Sequence, residues 1–124
     1  MKLLLDTHVV LWWLANDPTL APDARSAIAD ADDVTVSTAS VWEISLKASL
    51  GKLDAPDDLG DQLIRHQFAI LPIHLNHALY YRALAGLHRD PFDRMLVSQA
   101  HVEGLTIVTR DANIPAYGVP ILPA

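Results

Sequence analysis

The sequence predicts an α/β protein, a five-stranded parallel sheet with helices on both faces. Short apolar or β-branched runs alternate along the chain with helix-length segments. Those segments are long enough to serve as crossovers between parallel strands. The first run, Leu3-Leu4-Leu5, has no polar alternation, as in a strand buried on both faces. With 124 residues the chain makes one domain with a real core and is too short for two.

Lys2 to Leu5 is the first expected strand, ending at Asp6. A helix from about Thr7 or His8 follows at once, with Val9, Trp12 and Trp13 spaced i, i+3 and i+4; Asp17-Pro18 turns the chain. Ala21-Pro22 starts a second helix with proline in its first turn, running through Ala24, Ile28 and Ala31. The β-branched Val34-Thr35-Val36-Ser37 is the second strand. Ser37 or Thr38 then caps a helix carrying Val41, Trp42, Ile44 and Leu46, stopped by Gly51.

Asp57 or Asp58 is expected to cap a fourth helix reaching about Phe68, and Ala69 to Ile73 to form the third strand. Residues Asn76 to Gly86 read as a helix with Leu79, Ala83 and Leu84 inward. Asp90-Pro91 opens another helix, with Phe92, Met95, Leu96 and Ala100 on one face and Gly104 at its end. Leu105 to Thr109 is the fourth strand. A short turn then leads to a last strand, Val119 to Leu122, whose Pro120 marks an edge.

Composition narrows the function. The absence of cysteine excludes disulfides and thiolate zinc sites. No apolar stretch is long enough to span a membrane and Asp6 interrupts the only leucine run at the start, so a soluble, cytoplasmic protein is expected. A net charge of −6 argues against general coating of nucleic acid, although a metal ion can neutralise clustered carboxylates in a nuclease. The acids are lopsided, thirteen Asp against two Glu, and short carboxylates favour caps, turns and metal shells.

Four acids fall where a parallel sheet gathers its ligands, at strand ends and the helix starts that follow them. Asp6 and Asp111 each follow a strand, Glu43 lies near the start of the helix after the second strand, and Asp93 lies in the first turn of the helix opened by Asp90-Pro91. Each also has a plainer explanation. Asp6 and Asp111 suit caps or turns, Glu43 suits an i,i+4 pair with Lys47, and Asp93 suits the helix dipole. Jointly they favour a site. Glu43 stands in the apolar, hydroxyl-rich stretch Ser40-Val41-Trp42-Glu43-Ile44-Ser45, where a solubilising charge is out of place. Pro91 at the first helical position makes Asp90 the cap and leaves Asp93 as the candidate ligand.

Oxygen donors without cysteine or clustered histidine select Mg²⁺ or Mn²⁺. The six histidines have no metal-ligand spacing, and His74 and His77, three apart, lack a third partner in the sequence. There is no G-x-G-x-x-G, P-loop or nucleophile elbow. A divalent ion among carboxylates suits phosphodiester chemistry.

The blocks Leu5-Asp6-Thr7-His8, Ser40-Val41-Trp42-Glu43-Ile44, Asp90-Pro91-Phe92-Asp93-Arg94-Met95-Leu96 and Val108-Thr109-Arg110-Asp111 together resemble PIN domains, and their order resembles VapC-type toxin ribonucleases. The resemblance covers essentially the whole chain. It implies a three-layer α/β/α sandwich with strand order 3-2-1-4-5 and an Mg²⁺- or Mn²⁺-dependent endoribonuclease acting on RNA. It further implies a VapB-like antitoxin partner and a homodimer. The family's acidic quartet falls on Asp6, Glu43, Asp93 and Asp111. Asp6, Asp93 and Asp111 are the expected metal ligands, and Glu43 the residue that positions or deprotonates water. Thr7, Asp90 and Thr109 are expected to support these acids, with Thr7 standing where many relatives have Asn. Lys47, Arg89, Arg94 and Arg110 are the candidate RNA phosphate contacts. Two rival functions are a metal-dependent phosphatase for small phosphate esters and a catalytically silent protein-binding module.

Overall fold

In the computed structural model, which describes residues 1–84, 86 and 90–124, the centre of the sheet is the leucine run. Strand β1 (Lys2–Leu5) pairs in parallel with β2 (Asp33–Ser37) on one side and β4 (Thr106–Thr109) on the other. Strand β3 (Ala69–Leu71) continues from β2 and β5 (Ile121–Pro123) from β4, so the order is β3-β2-β1-β4-β5, all parallel. That is the predicted order.

Leu3, Leu4 and Leu5 are fully buried, worth about 1.5–3 kcal/mol apiece in side-chain burial. Their alternation feeds two cores. Leu3 and Leu5 join Val36 and Val108 beneath α1 (Thr7–Leu14), α2 (Pro22–Asp30) and α4 (Leu59–Arg65). Leu4 joins Ile107 on the opposite face, under Leu96, Val97 and Ala100 of α6 (Pro91–Glu103). Helix α3 (Thr38–Ser49) touches both α1 and α6, and α5 (Leu75–Tyr81) lies on α6. These are the three layers.

Local chemistry fixes the ends. The Ser37 hydroxyl caps α3 by accepting from the Ala39 amide at 2.9 Å. Gly104 closes α6 at φ 68°, a left-handed conformation that costs glycine nothing. Several boundaries differ from expectation. Helix α4 stops at Arg65, because Gln67 turns left-handed (φ 61°) so that Phe68 can bury ahead of β3. Strand β3 ends at Leu71, since Pro72 has no amide to pair. The last strand begins at Ile121, and the expected turn before it is a 3-10 helix (Ile114–Tyr117) anchored by buried Ile114.

The largest correction concerns α5. Leu79, expected inward, is 64% exposed and Ala83 is also exposed; Leu84 alone of the three is half-buried. The inward residue is His77. Past Tyr81 the chain tightens into i→i+3 turns at Ala83 and Leu84 rather than staying α-helical to Gly86. Part of that expected helix end, residue 85, lies outside the described residues.

Candidate active site

The carboxyl ends of β1 and β4, the first turns of α1 and α6, and the middle of α3 surround a cavity of about 270 Å³. Asp6, Glu43, Asp93 and Asp111 all line it, joined by Asp90, Lys47 and Arg110. The quartet picked out in the sequence is therefore brought to one place. Asp6, Glu43 and Asp93 are each less than a tenth exposed, and Asp111 is half-buried.

The acids are held by a chain of donors. Asp6 Oδ1 accepts the Thr7 amide at 2.7 Å, and Oδ2 accepts the Thr109 hydroxyl at 2.6 Å. Thr109 Oγ1 in turn accepts the Asp111 amide at 3.0 Å, which ties the last acid to the first. The Thr7 hydroxyl donates to Glu43 Oε1 at 2.6 Å, and the Lys47 ammonium donates to Glu43 Oε2 at 2.5 Å. Thr7 thus holds Asp6 through its amide and links α1 to α3 through its hydroxyl. A hydroxyl and an ammonium meeting a buried carboxylate are charge-assisted bonds, stronger than neutral ones.

The plainer readings are partly true as well. Asp90 caps α6, with Oδ1 accepting the Phe92 amide at 2.9 Å and the Asp93 amide at 3.3 Å. Asp111 Oδ1 accepts the Asn113 amide at 2.8 Å, an Asx turn. Glu43 does pair with Lys47 at i,i+4, but it does so inside the cavity rather than on the surface. Capping and lining the cavity are compatible, because each carboxylate oxygen has two lone pairs.

Burial pushes the Asp6 carboxyl above its usual range, opposed by the Thr109 and Thr7 hydrogen bonds and by His8, and reinforced by the neighbouring Glu43 charge. The site therefore favours added positive charge. Its donors are hard oxygens, which fit Mg²⁺ or Mn²⁺ in chemistry. As the side chains stand, no three carboxylate or imidazole groups among the described residues are arranged to hold an ion.

The four expected phosphate-binding cations part company. Lys47 and Arg110 line the cavity. Arg110 is also anchored: its Nε donates to the Ala124 carbonyl at 2.9 Å, Nη2 bonds the Thr19 carbonyl, and the guanidinium stacks 4.7 Å from the Trp12 ring centre. Arg94 does not line the cavity. Its guanidinium lies 4.8 Å from the Tyr81 ring centre and donates to Tyr117 Oη at 3.3 Å, fastening α5 and the 3-10 helix to α6. Arg89 lies outside the described residues.

Three lining residues were not foreseen, His8, Val9 and Trp12. His8 and Trp12 sit i,i+4 on α1, with rings 6.1 Å apart, and they also line a neighbouring groove of about 520 Å³. That spacing after Asp6 was the available signal. The groove continues over Leu11, Leu14, Leu53, Ala55 and Pro56. Among the described residues no helix is long and apolar enough to cross a membrane.

A parallel sheet in the order 3-2-1-4-5, with four acids converging beyond its central strands, defines a class of α/β proteins with an acid-lined cleft. The PIN domain family model matches residues 3–120, and this chain belongs to that family. Its sequence is 26% identical over 120 residues to Ribonuclease VapC22 of Mycobacterium tuberculosis, covering 94% of this chain and 92% of that protein. Its fold is similar to a chain of the VapBC2 complex of Rickettsia felis bound to a promoter DNA fragment, with a TM-score of 0.74 at 17% identity and 98% of each chain covered. It is also similar to a chain of FitAcB from Neisseria gonorrhoeae, with a TM-score of 0.67 at 23% identity, covering 98% of this chain and 97% of that one.

Proposed function

We propose that this chain is a divalent-metal-dependent endoribonuclease, the toxin of a toxin–antitoxin pair. The observation that carries the reading is the convergence of Asp6, Glu43, Asp93 and Asp111 on one cavity in a PIN-family fold. The name of the mycobacterial relative and the complexes containing the structural neighbours support it.

Asp6, Asp93 and Asp111 would hold Mg²⁺ or Mn²⁺. Such an ion, when bound, supplies positive charge against a phosphate and makes water a better nucleophile at neutral pH. The remaining steps belong to the chain's own residues. Thr109 and the Thr7 amide hold the Asp6 carboxylate by one oxygen each, which fixes its rotamer. Glu43, braced by Thr7, takes the proton of the attacking water. Asp90 keeps the first turn of α6 in place, and with it Asp93. Lys47 and Arg110 meet phosphate oxygens at the cavity's edge.

The apolar groove beside the cavity suits an antitoxin segment, with a basic antitoxin side chain reaching the acids. Trp12 belongs to this groove, whereas Trp13 packs against Phe68 and the α2 core. Trp42, 60% exposed, heads an i,i+4,i+8 stripe with Leu46 and Leu50 that suits a second copy in a homodimer.

The test is to offer the purified protein labelled single-stranded RNA and a generic phosphomonoester, each with Mn²⁺ and with chelator. Mn²⁺-dependent internal cleavage of RNA without phosphomonoester turnover is expected. Turnover of the monoester alone would point to the phosphatase, and turnover of neither to the silent binding module.

A further inference from the structure

Glu43 is a buried carboxylate with a protein donor on each oxygen, Thr7 on one and Lys47 on the other. The two ends of the Lys47 bridge differ. The Glu43 side chain is 5% exposed and the Lys47 side chain 36%, so the lysine reaches from the rim into the cavity. The hydrogen bond to Glu43 raises the Lys47 pKa, and the charges of Glu43, Asp90 and Asp93 add to it. The ammonium thus lies in the field of three cavity acids.

Of the two lysine or arginine side chains that line the cavity among the described residues, Arg110 is fixed by two backbone carbonyls and a tryptophan ring. Lys47 is a compact charge on a flexible four-carbon stem. It can leave by rotating about its own bonds, with no change in the backbone.

We propose that Lys47 is the built-in counter-ion of the acidic cavity, paired with Glu43 when no divalent cation is bound and released from Glu43 when one binds. This rests on the metal-dependent reading above. A dication and an ammonium within the same few ångströms repel each other, so one position near Glu43 serves either but not both. Exchange also frees a Glu43 oxygen for water and turns the lysine towards the cavity mouth, where the substrate phosphate arrives. An ordinary i,i+4 surface pair would be indifferent to the cation.

The chain has three lysines, Lys2, Lys47 and Lys52, so ammonium ¹H–¹⁵N spectra of the native protein are simple to assign. Without metal, Lys47 should give a protected signal. Saturating Mg²⁺, with binding followed by calorimetry on the same sample, should remove or shift that signal and leave Lys2 and Lys52 unchanged. In a second measurement, Lys47→Gln should bind Mn²⁺ roughly two- to tenfold more tightly, the range of a partly exposed ion pair. Mg²⁺ binding with the Lys47 signal unmoved, or Mn²⁺ binding weakened by Lys47→Gln, would overturn the inference while leaving the metal reading intact. No binding of either ion to the native protein would remove the metal reading and this inference together.

Discussion

Two buried polar clusters divide the molecule. One is the acid cluster of Asp6, Glu43 and Asp93; the other joins α5 to α6 around His77, which is fully buried. In the second, the His74 amide donates to His77 Nδ1 at 2.9 Å, the Ser98 hydroxyl donates to the His77 carbonyl at 2.6 Å, and the Gln99 amide donates to the Pro72 carbonyl at 3.2 Å. Because Nδ1 accepts, the neutral ring carries its proton on Nε2, which faces Glu103 at 3.7 Å. That nitrogen is a donor and has no lone pair for a metal. Equal burial thus serves two ends. Around His77, hydrogen bonds join α5 to α6 although His77 Nε2 and Gln99 Oε1 find no hydrogen-bond partner among the described residues, whereas around Asp6 like charges are gathered beside an opening. Charge with access marks a site, and burial alone does not.

Substitutions should separate the two clusters. The largest effect expected is on cleavage: Asp93→Asn should abolish RNA hydrolysis with little loss of stability, as gel assays and denaturant melts would show. His77→Ala should do the reverse, costing about 2–4 kcal/mol through the cavity left and the His74 amide stripped of its acceptor. Its folded fraction should still cleave RNA. Loss of cleavage per folded molecule would mean the α5–α6 cluster acts on the site after all. Asp90→Ala lies between, with a lost N-cap worth about 0.5–2 kcal/mol and part of the activity kept. If Asp90→Ala is inactive and Asp93→Asn active, the roles of the two acids are reversed.

The subtlest effect concerns charge on Asp6. Its carboxyl titrates above the usual range in the folded state, chiefly through burial, so the fold binds a proton there that the unfolded chain releases. Unfolding free energy from this group is therefore highest at low pH and falls as pH rises through the folded pKa. In chelator, Asp6→Asn should melt higher than the native protein at neutral pH, with the gap closing as pH is lowered towards that raised pKa. Mn²⁺ should raise the native melting temperature by mass action and leave Asp6→Asn unmoved. A native melting curve unchanged across millimolar Mn²⁺ would count against the cation.

The acid cluster was legible in the sequence and the histidine cluster was not, for a physical reason. Leu3-Leu4-Leu5 has no alternation, which identifies a central strand, and topology then places Asp6, Glu43, Asp93 and Asp111 at one edge. Helix α5 offers only a period. Leu79 and Ala83 mark one face, but periodicity does not say whether that face meets the core or the solvent. Here Leu79 is 64% exposed and Ala83 is exposed too, and His77 faces inward. The surroundings of Arg94 were not legible either: its place beside Asp93 suggested phosphate, and Tyr81 and Tyr117, distant in sequence, hold its guanidinium. The bond from Thr7 to Glu43, spanning 36 residues, likewise had no local signature.

The most direct test of the central claim sets the clusters side by side in one assay. Native protein, Asp93→Asn and His77→Ala, each corrected for folded fraction, are given labelled single-stranded RNA with Mn²⁺ or with chelator. Cleavage is expected from native protein and His77→Ala in Mn²⁺ only, and from Asp93→Asn in neither condition. Undiminished cleavage by Asp93→Asn, or cleavage by the native protein in chelator, would contradict the claim that these four acids form a cation-dependent ribonuclease site.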